Sequence, residues 1–585
     1  MTPTPSDNPG LPFRLADFPT LVEALDYAAR GVTGFNFYTG RGELSEALPY
    51  RTLREQALEI AGQLLRRGFA AGDRIALLAE TDGDFVRGFF ACQYAGLIPT
   101  PLPLPAAFGG RPHYIAHIRR MIEGSGARAV FGPAALAPWL AEAVAGLDLD
   151  FAGTLADLGA WAATLAPAQH APAFPTPDPD QLSYIQFSSG STRAPIGVAV
   201  TQRAFMANAH ASSQDGLCLR AGDRGVSWLP LYHDMGLVGF LLTPLTCQIS
   251  VDLLPTSEFV RRPMVWLDLI SRNGGTLSYT PSFGFELCVR RARTMSLDHL
   301  SLGSWRAAGI GGDMIRPDAL DSFAERFAVC GFRSSAFTPS YGMAEATLAL
   351  SFAKPGAGAR RDAIDIEQME RDHIAVPAHE NTVTRRDFVL CGPILPGHEI
   401  EIRDENGKVQ PERHVGRIFV RGPSIMKEYF QHPEETAAVL SADGWLDTGD
   451  IGYLLHGEIV ITGRAKDLII INGRNIWPQD LEWTLEDSIA GLRSGDVAVF
   501  SLDNGHGENI YALVHCRVQG EDERQHLKTE ISGLLRARHG VEAGIVLVPP
   551  HTLPKTSSGK LSRAGAKTLL KSGAFGEPEA YSLAV

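Results

Sequence analysis

The sequence lacks the features that mark several large classes of protein. Its 585 residues contain only seven cysteines, scattered without a CxxC pair, which offers neither a disulfide framework nor a cysteine-based metal site. No uncharged apolar run reaches the length that spans a bilayer; "GLVGFLLTPL" is far too short. The segment "MTPTPSDNPGLPF" has no basic stretch followed by an apolar core, so we expect no secretory signal. We therefore expect a cytoplasmic protein without an integral membrane segment.

The sequence also has no excess of positive charge. Lysine and arginine total 53 against 66 aspartates and glutamates, for a formal net charge of −13, which gives no electrostatic reason to expect nucleic acid as a partner. Apolar residues make up 45% and charged residues 20%, as in ordinary globular proteins. A chain of this length exceeds one compact core, so we expect two or more domains.

Helix-like and strand-like segments alternate along the chain, which is typical of an α/β architecture with mostly parallel sheets. "YRTLREQALEIAGQLLRRG" predicts a helix ending at Gly68, "RIALLAE" a buried strand and "FVRGFFACQYAGL" the next helix. The proline-rich "PTPLPLPAAFGGRP" predicts a rigid connection instead of a strand. Residues 352–385 are charge-rich with little periodicity, and the residues after "GRAKDLIIINGRN" predict a small α/β unit.

One loop is unusually rich in glycine and hydroxyl residues. "FSSGSTRAPIG", residues 187–197, lies between two apolar runs that predict strands, and Thr201 can cap the helix that follows. Backbone N–H groups and hydroxyls in such a turn can surround phosphate oxygens without steric hindrance. Taken alone, the loop is equally consistent with a flexible surface connection. It is not the nucleotide loop of the NTPases, because GxxxxGK[ST] is absent.

Further motifs follow this loop in a fixed order. His233 lies in "LPLYHDMGL", Glu345 in "SYGMAEA", Asp450 in "GWLDTGDIGYL", Arg464 in "ITGRAKDLIIINGRNIWPQDLE" and Lys560 in "LPKTSSGKLSR". Together with the loop they resemble the signature motifs of the adenylate-forming superfamily: acyl-CoA synthetases, luciferases and peptide-synthetase adenylation domains. The resemblance extends over nearly the whole chain, from about Leu21 onward.

Finer details resemble the fatty acyl-AMP ligases of that superfamily. These enzymes pass the acyl group to the phosphopantetheine arm of a carrier protein instead of to free coenzyme A. The similarity rests on "YGMAEATLALSF", on "GRNIWPQDLE" and on the long stretch after Phe352. In that branch an extra segment separates "YGMAEA" from "CGPILPG", and residues 353–385 occupy that place here. The alternative is a surface loop without a function.

The resemblance implies a two-domain α/β fold. A large N-terminal adenylation domain with doubly wound sheets would comprise residues 1–466, and a small mobile C-terminal α/β domain would comprise residues 467–585. Lys466 lies at the implied hinge, about which the small domain swings between the adenylation and acyl-transfer arrangements.

The resemblance also implies a site for ATP and Mg²⁺. Glu345 would hold Mg²⁺, which needs only one or two protein oxygens. His233 would line the entrance for the carboxylate, although a lone histidine in an apolar segment is commonly structural. The implied nucleotide contacts are the phosphate loop Ser188, Ser189, Gly190, Ser191 and Thr192, the adenine slot Gly311, Gly312, Tyr341 and Gly342, the ribose ligand Asp450, and Arg464.

Lys560 is the residue on which we expect the chemistry to depend most. Attack of a carboxylate on the α-phosphate of ATP brings anions together, so catalysis is mostly alignment and charge neutralisation. An ammonium on a mobile glycine-rich loop can reach both the carboxylate and the phosphate, which suits lysine better than a rigid guanidinium. The alternative is one more solvated lysine. The implied catalytic residues are Lys560, His233 and Glu345.

Two departures weaken particular assignments. Many relatives carry a lysine where this chain has Ile196, and Arg193 compensates only if it points toward the phosphates. Ala344 replaces a threonine that bonds the nucleotide phosphate in most relatives. Both changes reduce the expected contribution of side chains to ATP binding, leaving more of it to backbone donors and Lys560.

The resulting expectation is an enzyme that activates a medium- or long-chain fatty acid. Three apolar stretches, "WLPLY", "GFLLTPL" and "SYTPSFGFEL", could line a tunnel for the acid or simply pack the core. No Asp-Ser-Leu attachment motif follows Lys560, so we expect the acyl carrier protein to act in trans. Two alternatives stay open: a fatty acyl-CoA synthetase that uses free coenzyme A, and a scaffold that binds nucleotide without turnover.

Overall fold

The computed structural model describes residues 1–105, 110–164, 173–188, 195–382, 384–471, 474–503, 508–556 and 560–575. The helices are α1 Leu21–Ala28, α2 Tyr50–Arg66, α3 Gly83–Ala95, α4 Gly110–Ser125, α5 Ala137–Ala143, α6 Leu155–Ala163, α7 Gln202–Ala211, α8 Asp234–Leu237, α9 Thr243–Thr246, α10 Thr256–Arg261, α11 Met264–Asn273, α12 Ser282–Ala292, α13 Pro317–Phe327, α14 Ile366–Asp372, α15 Pro433–Val439, α16 Pro478–Ser488, α17 Glu521–His539 and α18 Arg563–Lys571.

The strands are β1 Gly34–Tyr38, β2 Leu44–Pro49, β3 Arg74–Leu78, β4 Ile98–Leu102, β5 Ala127–Phe131, β6 Phe151–Gly153, β7 Leu182–Phe187, β8 Gly197–Thr201, β9 Arg224–Ser227, β10 Ser250–Leu253, β11 Leu277–Thr280, β12 Ala307–Ile310, β13 Phe337–Gly342, β14 Ala349–Phe352, β15 Arg361–Asp365, β16 Arg385–Pro393, β17 Glu399–Arg403, β18 Gly416–Arg421, β19 Glu428–Tyr429, β20 Leu446–Leu455, β21 Glu458–Arg464, β22 Ile469–Ile471, β23 Arg474–Ile476, β24 Val497–Asp503, β25 Glu508–His515 and β26 Ala543–Val548.

The chain has the predicted α/β fold, with a large N-terminal and a small C-terminal domain. The largest sheet has the order β14-β13-β12-β11-β9-β10-β1-β2, and its strands from β13 to β1 are parallel to their neighbours. A second parallel sheet has the order β4-β3-β5-β6. The helices that connect such strands cover the sheets, as parallel crossovers require.

The six-stranded sheet departs from the expected parallel arrangement. Its order is β15-β16-β21-β20-β18-β17, and each neighbouring pair is antiparallel. Its strands β20 and β21 are joined by a short turn at Gly457, which has a φ of +75°. A turn of two or three residues permits antiparallel pairing only. The alternation of helix-like and strand-like segments in the sequence did not reveal this antiparallel sheet.

The proline-rich stretch contains a strand, contrary to the prediction of a rigid connection. β4 includes Pro99 and Pro101 and pairs in parallel with β3, with Ile75 opposite Pro99 and Leu77 opposite Pro101. β4 lies at the edge of its sheet, so the prolines have no further strand to which an N–H would have to donate. Edge position removes the usual objection to proline in a strand.

Residues 353–385, of which the structure describes all but residue 383, contain regular secondary structure between β14 and β16. They contain β15, which pairs with β16, and helix α14, whose N-cap Asp365 accepts a hydrogen bond from Gln368 N at 3.2 Å. Ile364 and Met369 are completely buried in a cluster with Tyr453 and Trp477. We refer to residues 353–385 as the insert.

The small domain is built on the sheet β24-β25-β26. Alternate residues of β24 enter two separate hydrophobic clusters: Val497 and Val499 pack with helices α16 and α17, whereas Ala498 and Phe500 pack with α18. This period of two is the pattern of a strand with both faces buried. Along the described part of the chain, no helix is both long enough and apolar enough to cross a membrane.

Candidate active site

A cavity of about 490 Å³ opens at the carboxyl ends of the parallel strands of the largest sheet. Neighbouring parallel strands β11, β12 and β13 end at Thr280, Ile310 and Gly342, and the cavity is lined by residues at or just beyond these ends, including Pro281 and Gly312. Carboxyl ends of parallel strands lie on one edge of a sheet, where open α/β sheets bind ligands. The topology therefore gathers residues that are far apart in sequence.

One end of the cavity is apolar. All three apolar stretches singled out in the sequence contribute to its wall, through Trp228, Phe240 and Tyr279. Phe240 and Phe352 flank Tyr279 at ring-centroid distances of 6.2 and 6.4 Å. The other apolar wall residues include Leu217, Leu219, Pro244, Ile249, Leu277 and Leu348. Such a wall can remove a hydrocarbon chain from water but offers it no charged partner.

The other end carries Asp450, Arg464 and Tyr341. Asp450 and Arg464 are directly opposite each other on β20 and β21, with Arg464 Nε 3.4 Å from Asp450 Oδ1. Tyr341 Oη donates to Asp450 Oδ2 at 2.8 Å. Burial raises the pKa of Asp450, and the Arg464 guanidinium opposes this rise. A second, smaller cavity of about 160 Å³ adjoins this point and shares Tyr341, Asp450 and Arg464 with the first.

Glu345 follows β13 and faces the same cavity. Its Oε1 accepts a hydrogen bond from Tyr429 Oη at 2.9 Å. Burial raises the pKa of Glu345, and the nearby Asp234 carboxylate adds to that rise. Asp234 also lines the cavity, and burial raises its pKa while the Lys560 ammonium lowers it. Two carboxylates withdrawn from bulk water thus share one site.

Lys560 reaches this site from the small domain. Its Nζ donates to the carbonyl oxygen of Gly312, and both residues line the main cavity. Lys466 lies in the short 3₁₀ helix Ala465–Asp467 and lines the cavity too. Burial lowers the pKa of Lys466, and the neighbouring Arg464 contributes. The large and small domains therefore both contribute positive charge to the site.

Three glycines fit where a side chain would not. A Cβ on Gly342 would lie 1.9 Å from the Leu348 carbonyl oxygen, so the turn around Glu345 could not close on a larger residue. Gly312 has a φ of +77°, and a Cβ there would lie 3.0 Å from Met235 Cε and 3.6 Å from Lys560 Nζ. Gly311 packs one residue behind, where a Cβ would lie 2.8 Å from the Ser340 carbonyl oxygen. The backbone lines the cavity at Gly312 and Gly342, whereas the predicted Gly311 does not line it.

The structure brings most of the predicted site residues together. His233, Gly312, Tyr341, Gly342, Glu345, Asp450, Arg464, Lys466 and Lys560 all line the main cavity. Ser188 lines it as well, and its N–H closes the hairpin by donating to Ile196 O at 2.9 Å. Ser189, Gly190, Ser191 and Thr192 lie outside the described residues. The roles assigned to these residues remain predictions.

The donor set fits Mg²⁺ held jointly by protein and substrate. Within the described ranges, no group of three or more histidines, cysteines, aspartates or glutamates could bind a metal ion by itself. Glu345 instead presents one carboxylate, of which Oε1 is engaged by Tyr429. Mg²⁺ commonly takes one or two carboxylates together with phosphate oxygens and water. The observed arrangement matches that pattern.

Two residues that line the cavity, Asp234 and Tyr429, and one buried residue behind it, Thr347, lay outside the sequence prediction. Tyr429 contacts Glu345 because β19 pairs with β8, which places Tyr429 opposite Val198. Thr347 lies at the turn after Glu345, and Asp234 follows the predicted His233. No local motif marks Tyr429, since its position depends on pairing between residues about 230 apart in the chain. Asp234 could have been predicted from the sequence, because it is adjacent to the motif residue His233.

Comparisons with known proteins agree with this geometry. The profile of the AMP-binding enzyme family matches residues 34–430. A Caulobacter vibrioides protein, provisionally named an acyl-CoA synthetase, is 56% identical over 99% of both chains. The Moorena producens medium-chain-fatty-acid–[acyl-carrier-protein] ligase JamA is 32% identical over 96% of this chain and 97% of its own. A solved structure from work on fatty acyl-adenylate ligases of E. coli and L. pneumophila has a TM-score of 0.90 and 44% identity, covering 96% of this chain and 100% of its own.

The fold, the site and these similarities define an adenylate-forming ligase: the chain belongs to the AMP-binding enzyme family. Within that family it belongs to the fatty acyl-AMP ligases.

Proposed function

We propose that this enzyme joins a medium- or long-chain fatty acid to AMP and then passes the acyl group to the phosphopantetheine thiol of an acyl carrier protein acting in trans. The observation that carries the proposal is the continuity of one cavity. Its apolar end accepts a hydrocarbon chain, and its polar end holds Glu345, Asp450, Arg464 and Lys560. A fatty acid bound in the apolar end presents its carboxylate to the charged end.

In the first step a carboxylate oxygen attacks the α-phosphorus of ATP, and the bond from that phosphorus to pyrophosphate breaks. Asp450 accepts hydrogen bonds from the ribose hydroxyls, and Arg464 donates to the nucleotide. Lys560 approaches both reacting anions from the small domain and neutralises charge that grows in the transition state. Glu345 would hold Mg²⁺, which would neutralise phosphate charge. His233 lines the path of the carboxylate.

In the second step the carrier's thiol attacks the acyl carbonyl carbon, AMP leaves, and the thiol proton is released. Lys560 lies at the adenylation site in the present arrangement, so the small domain must rotate to admit the thiol. Lys466, in the segment that joins the domains, is the proposed hinge, and the proposed domain boundary follows it. Transfer to free coenzyme A is the second candidate, favoured by the name of the Caulobacter relative.

The product of the first step tests the proposal directly. Purified enzyme is incubated with MgATP and even-numbered saturated acids from octanoate to octadecanoate, and the products are analysed by mass spectrometry. We expect an acyl-adenylate with at least one of these acids, together with an equal amount of pyrophosphate. Absence of any acyl-adenylate across the series, from enzyme that binds ATP, would contradict the assignment and leave the scaffold alternative.

The insert supports the carrier protein as acceptor. It contacts the small domain through an ion pair between Glu370 Oε2 and Arg474 Nη2 at 2.7 Å and a hydrogen bond between His373 Nδ1 and Asn475 Nδ2 at 3.2 Å. A segment attached to both domains restricts the path of the rotating domain. Free coenzyme A has only its own nucleotide to bind with, whereas a carrier protein adds contacts of its own.

The acceptors can be compared at equal concentration with enzyme and supplied dodecanoyl-adenylate. We expect faster thioester formation with phosphopantetheine-loaded acyl carrier protein of the fatty-acid synthase type than with coenzyme A. Equal or faster transfer to coenzyme A would contradict the proposal. Deleting the insert would damage the core, because Ile364 and Met369 are completely buried. The double variant Glu370→Gln/His373→Ala instead removes the ion pair with Arg474 and the hydrogen bond with Asn475 while keeping the buried apolar residues, and it should raise coenzyme A use.

A further inference from the structure

Two arginines of the large domain contact helix α16 of the small domain. Arg316, which precedes α13, donates from Nη1 to Glu486 Oε2 at 2.8 Å and from Nη2 to Asp487 Oδ1 at 2.7 Å. Its guanidinium carbon lies 5.2 Å from the centre of the Trp483 ring. The Arg316 and Glu486 side chains are only 11% and 4% exposed, so water screens this pair little.

Arg386 approaches the same helix from the start of β16, immediately after the insert. It forms an ion pair with Asp480, and each side chain is 10% exposed. Its guanidinium carbon lies 5.1 Å from the Trp483 ring centre and 4.2 Å from that of Phe388. Trp483 thus contacts both arginines. We refer to Arg316, Arg386 and their partners Asp480, Trp483, Glu486 and Asp487 as the α16 clasp.

Ion pairs also connect helix α16 to the segment that carries Lys560. Arg563, three residues after Lys560, donates from Nε and Nη2 to the Glu482 carboxylate at 2.8 and 2.6 Å. Its Nη1 also donates to Asp467 Oδ2 at 2.9 Å. Arg563 and Glu482 are 17% and 5% exposed, so this connection lies inside the small domain. A displacement of α16 from the large domain would therefore carry Lys560 with it.

From these contacts we propose that Arg316 and Arg386 are positioning residues: they hold α16, and through Glu482 and Arg563 the Lys560 segment, in the arrangement that forms acyl-adenylate. The inference rests on the proposed two-step reaction. The residues that would bind ATP and the acid belong to the large domain, so the clasp acts on the placement of Lys560 and not on substrate binding.

Because its contacts involve charged groups, the α16 clasp can stabilise one domain arrangement and still allow the domains to separate. Separating the domains from this arrangement takes Glu486 and Asp487 away from Arg316, although Glu286 of the large domain stays 3.6 Å from its Nε, and it takes Asp480 away from Arg386. It also returns these charges to water. Ion pairs at such a surface consequently favour one defined orientation at a small net cost of separation, unlike a large apolar interface. A domain that must rotate once per turnover needs contacts of this kind.

The test compares Arg316→Gln and Arg386→Gln with the wild type and with Arg361→Gln. Arg361 is the matched control because its Nη1 donates to Asp321 Oδ2 at 2.9 Å within the large domain. Four quantities are measured: the kcat and the KM for ATP of dodecanoate-dependent exchange of pyrophosphate into ATP, the distance between spin labels on the two domains, and the melting temperature. Cys218 is exposed while the other six cysteines are buried, so it takes one label, and Glu530→Cys takes the other.

We expect each clasp variant to lower the kcat of exchange by about tenfold or more, because the arrangement competent for adenylation is less populated. The KM for ATP should stay within about twofold of the wild-type value, and the distance distribution should broaden. The double variant Arg386→Gln/Asp480→Asn, which leaves no uncompensated buried charge, should give the same result with an unchanged melting temperature.

An unchanged distance distribution with exchange near the wild-type rate would overturn the proposal. A parallel loss of exchange, ATP affinity and melting temperature would overturn it as well, because that pattern indicates a merely structural role. Absence of exchange in the wild type would refute the proposed function instead, and the spin-label distances would then still decide whether the clasp sets the domain arrangement.

Discussion

Glu345 is held at the site by a strained turn. Thr347 has φ +70° and ψ −56°, and Leu348 N donates to Ala346 O at 2.8 Å, which together make the rare γ-turn with positive φ. A β-branched residue in this conformation costs about 1–3 kcal/mol. Thr347 is completely buried, and its Oγ1 donates to Ser424 O at 2.7 Å. This hydrogen bond opposes relaxation of the turn.

Replacing Thr347 with valine should release the turn. The variant keeps the branched shape but loses the donor, leaving Ser424 O buried with one partner fewer, at a cost of about 1–3 kcal/mol in unfolding free energy. We also expect a higher Mg²⁺ concentration for half-maximal adenylation, because Glu345 is then less well placed. Thr347→Ser, which retains the hydroxyl, is the control. A valine variant with wild-type Mg²⁺ dependence would show that the bond does not position Glu345.

Individual site residues differed in how far the sequence could reveal them. The place of Asp450, Arg464 and Lys560 at one cavity was predictable because each lies in a recognisable local motif, whereas their roles stay predictions. Tyr429 was not, since its contact with Glu345 exists only after β19 has paired with β8. The strain at Thr347 was equally hidden, because a backbone angle in that region depends on tertiary contacts and not on residue preference.

At the scale of elements, helix α16 contains a carboxyl group with an unusual protonation equilibrium. Burial raises the pKa of Glu486 to about 8, although the Arg316 guanidinium opposes the rise. Below that pH the Arg316–Glu486 contact of the α16 clasp is therefore mainly a hydrogen bond from the guanidinium to a protonated carboxyl group. An unfolded glutamate has a pKa of about 4.3. Between these values the folded chain binds more protons than the unfolded chain. Glu486 therefore makes stability fall as the pH rises through this window, and its contribution is most favourable below about pH 4.3.

The variant Glu486→Gln should remove this pH dependence. Glutamine keeps an oxygen that can accept from Gly495 N, the 2.6 Å partner of Glu486 Oε1, but cannot ionise. We expect the difference in melting temperature between variant and wild type to shift in favour of the variant as the pH rises from about 5 to 8. A constant difference across this range would indicate that Glu486 ionises at an ordinary pKa.

Element boundaries followed the sequence where caps and periodicity were strong. The helix predicted to end at Gly68 is α2, and the two strands around the glycine-rich loop are β7 and β8. Thr201 caps α7 as predicted, accepting from Ala204 N at 3.1 Å. The prediction was wrong at β4, where the edge position permits proline. It also did not detect β15 and α14, whose few apolar residues suffice to hold these elements in place because Tyr453 and Trp477 pack against them.

At the scale of the whole molecule, one cavity links an apolar pocket to a charged cluster that both domains complete. The large domain contributes Asp450, Arg464 and Glu345, and the small domain contributes Lys560. The order of motifs along the chain was sufficient to predict the two-domain fold. The contacts that fix the domain arrangement were not predictable, because the clasp joins Arg316 and Arg386 to a helix more than 90 residues further along the chain.

The proposed function depends above all on formation of acyl-adenylate in this cavity, with Lys560 acting in the transition state. The most direct measurement is fatty-acid-dependent exchange of labelled pyrophosphate into ATP by the wild type and by Lys560→Ala. We expect exchange by the wild type and a reduction of about 10²–10³-fold in the variant, with the melting temperature and ATP binding largely unchanged. No exchange with any fatty acid, or exchange by Lys560→Ala near the wild-type rate, would contradict the account.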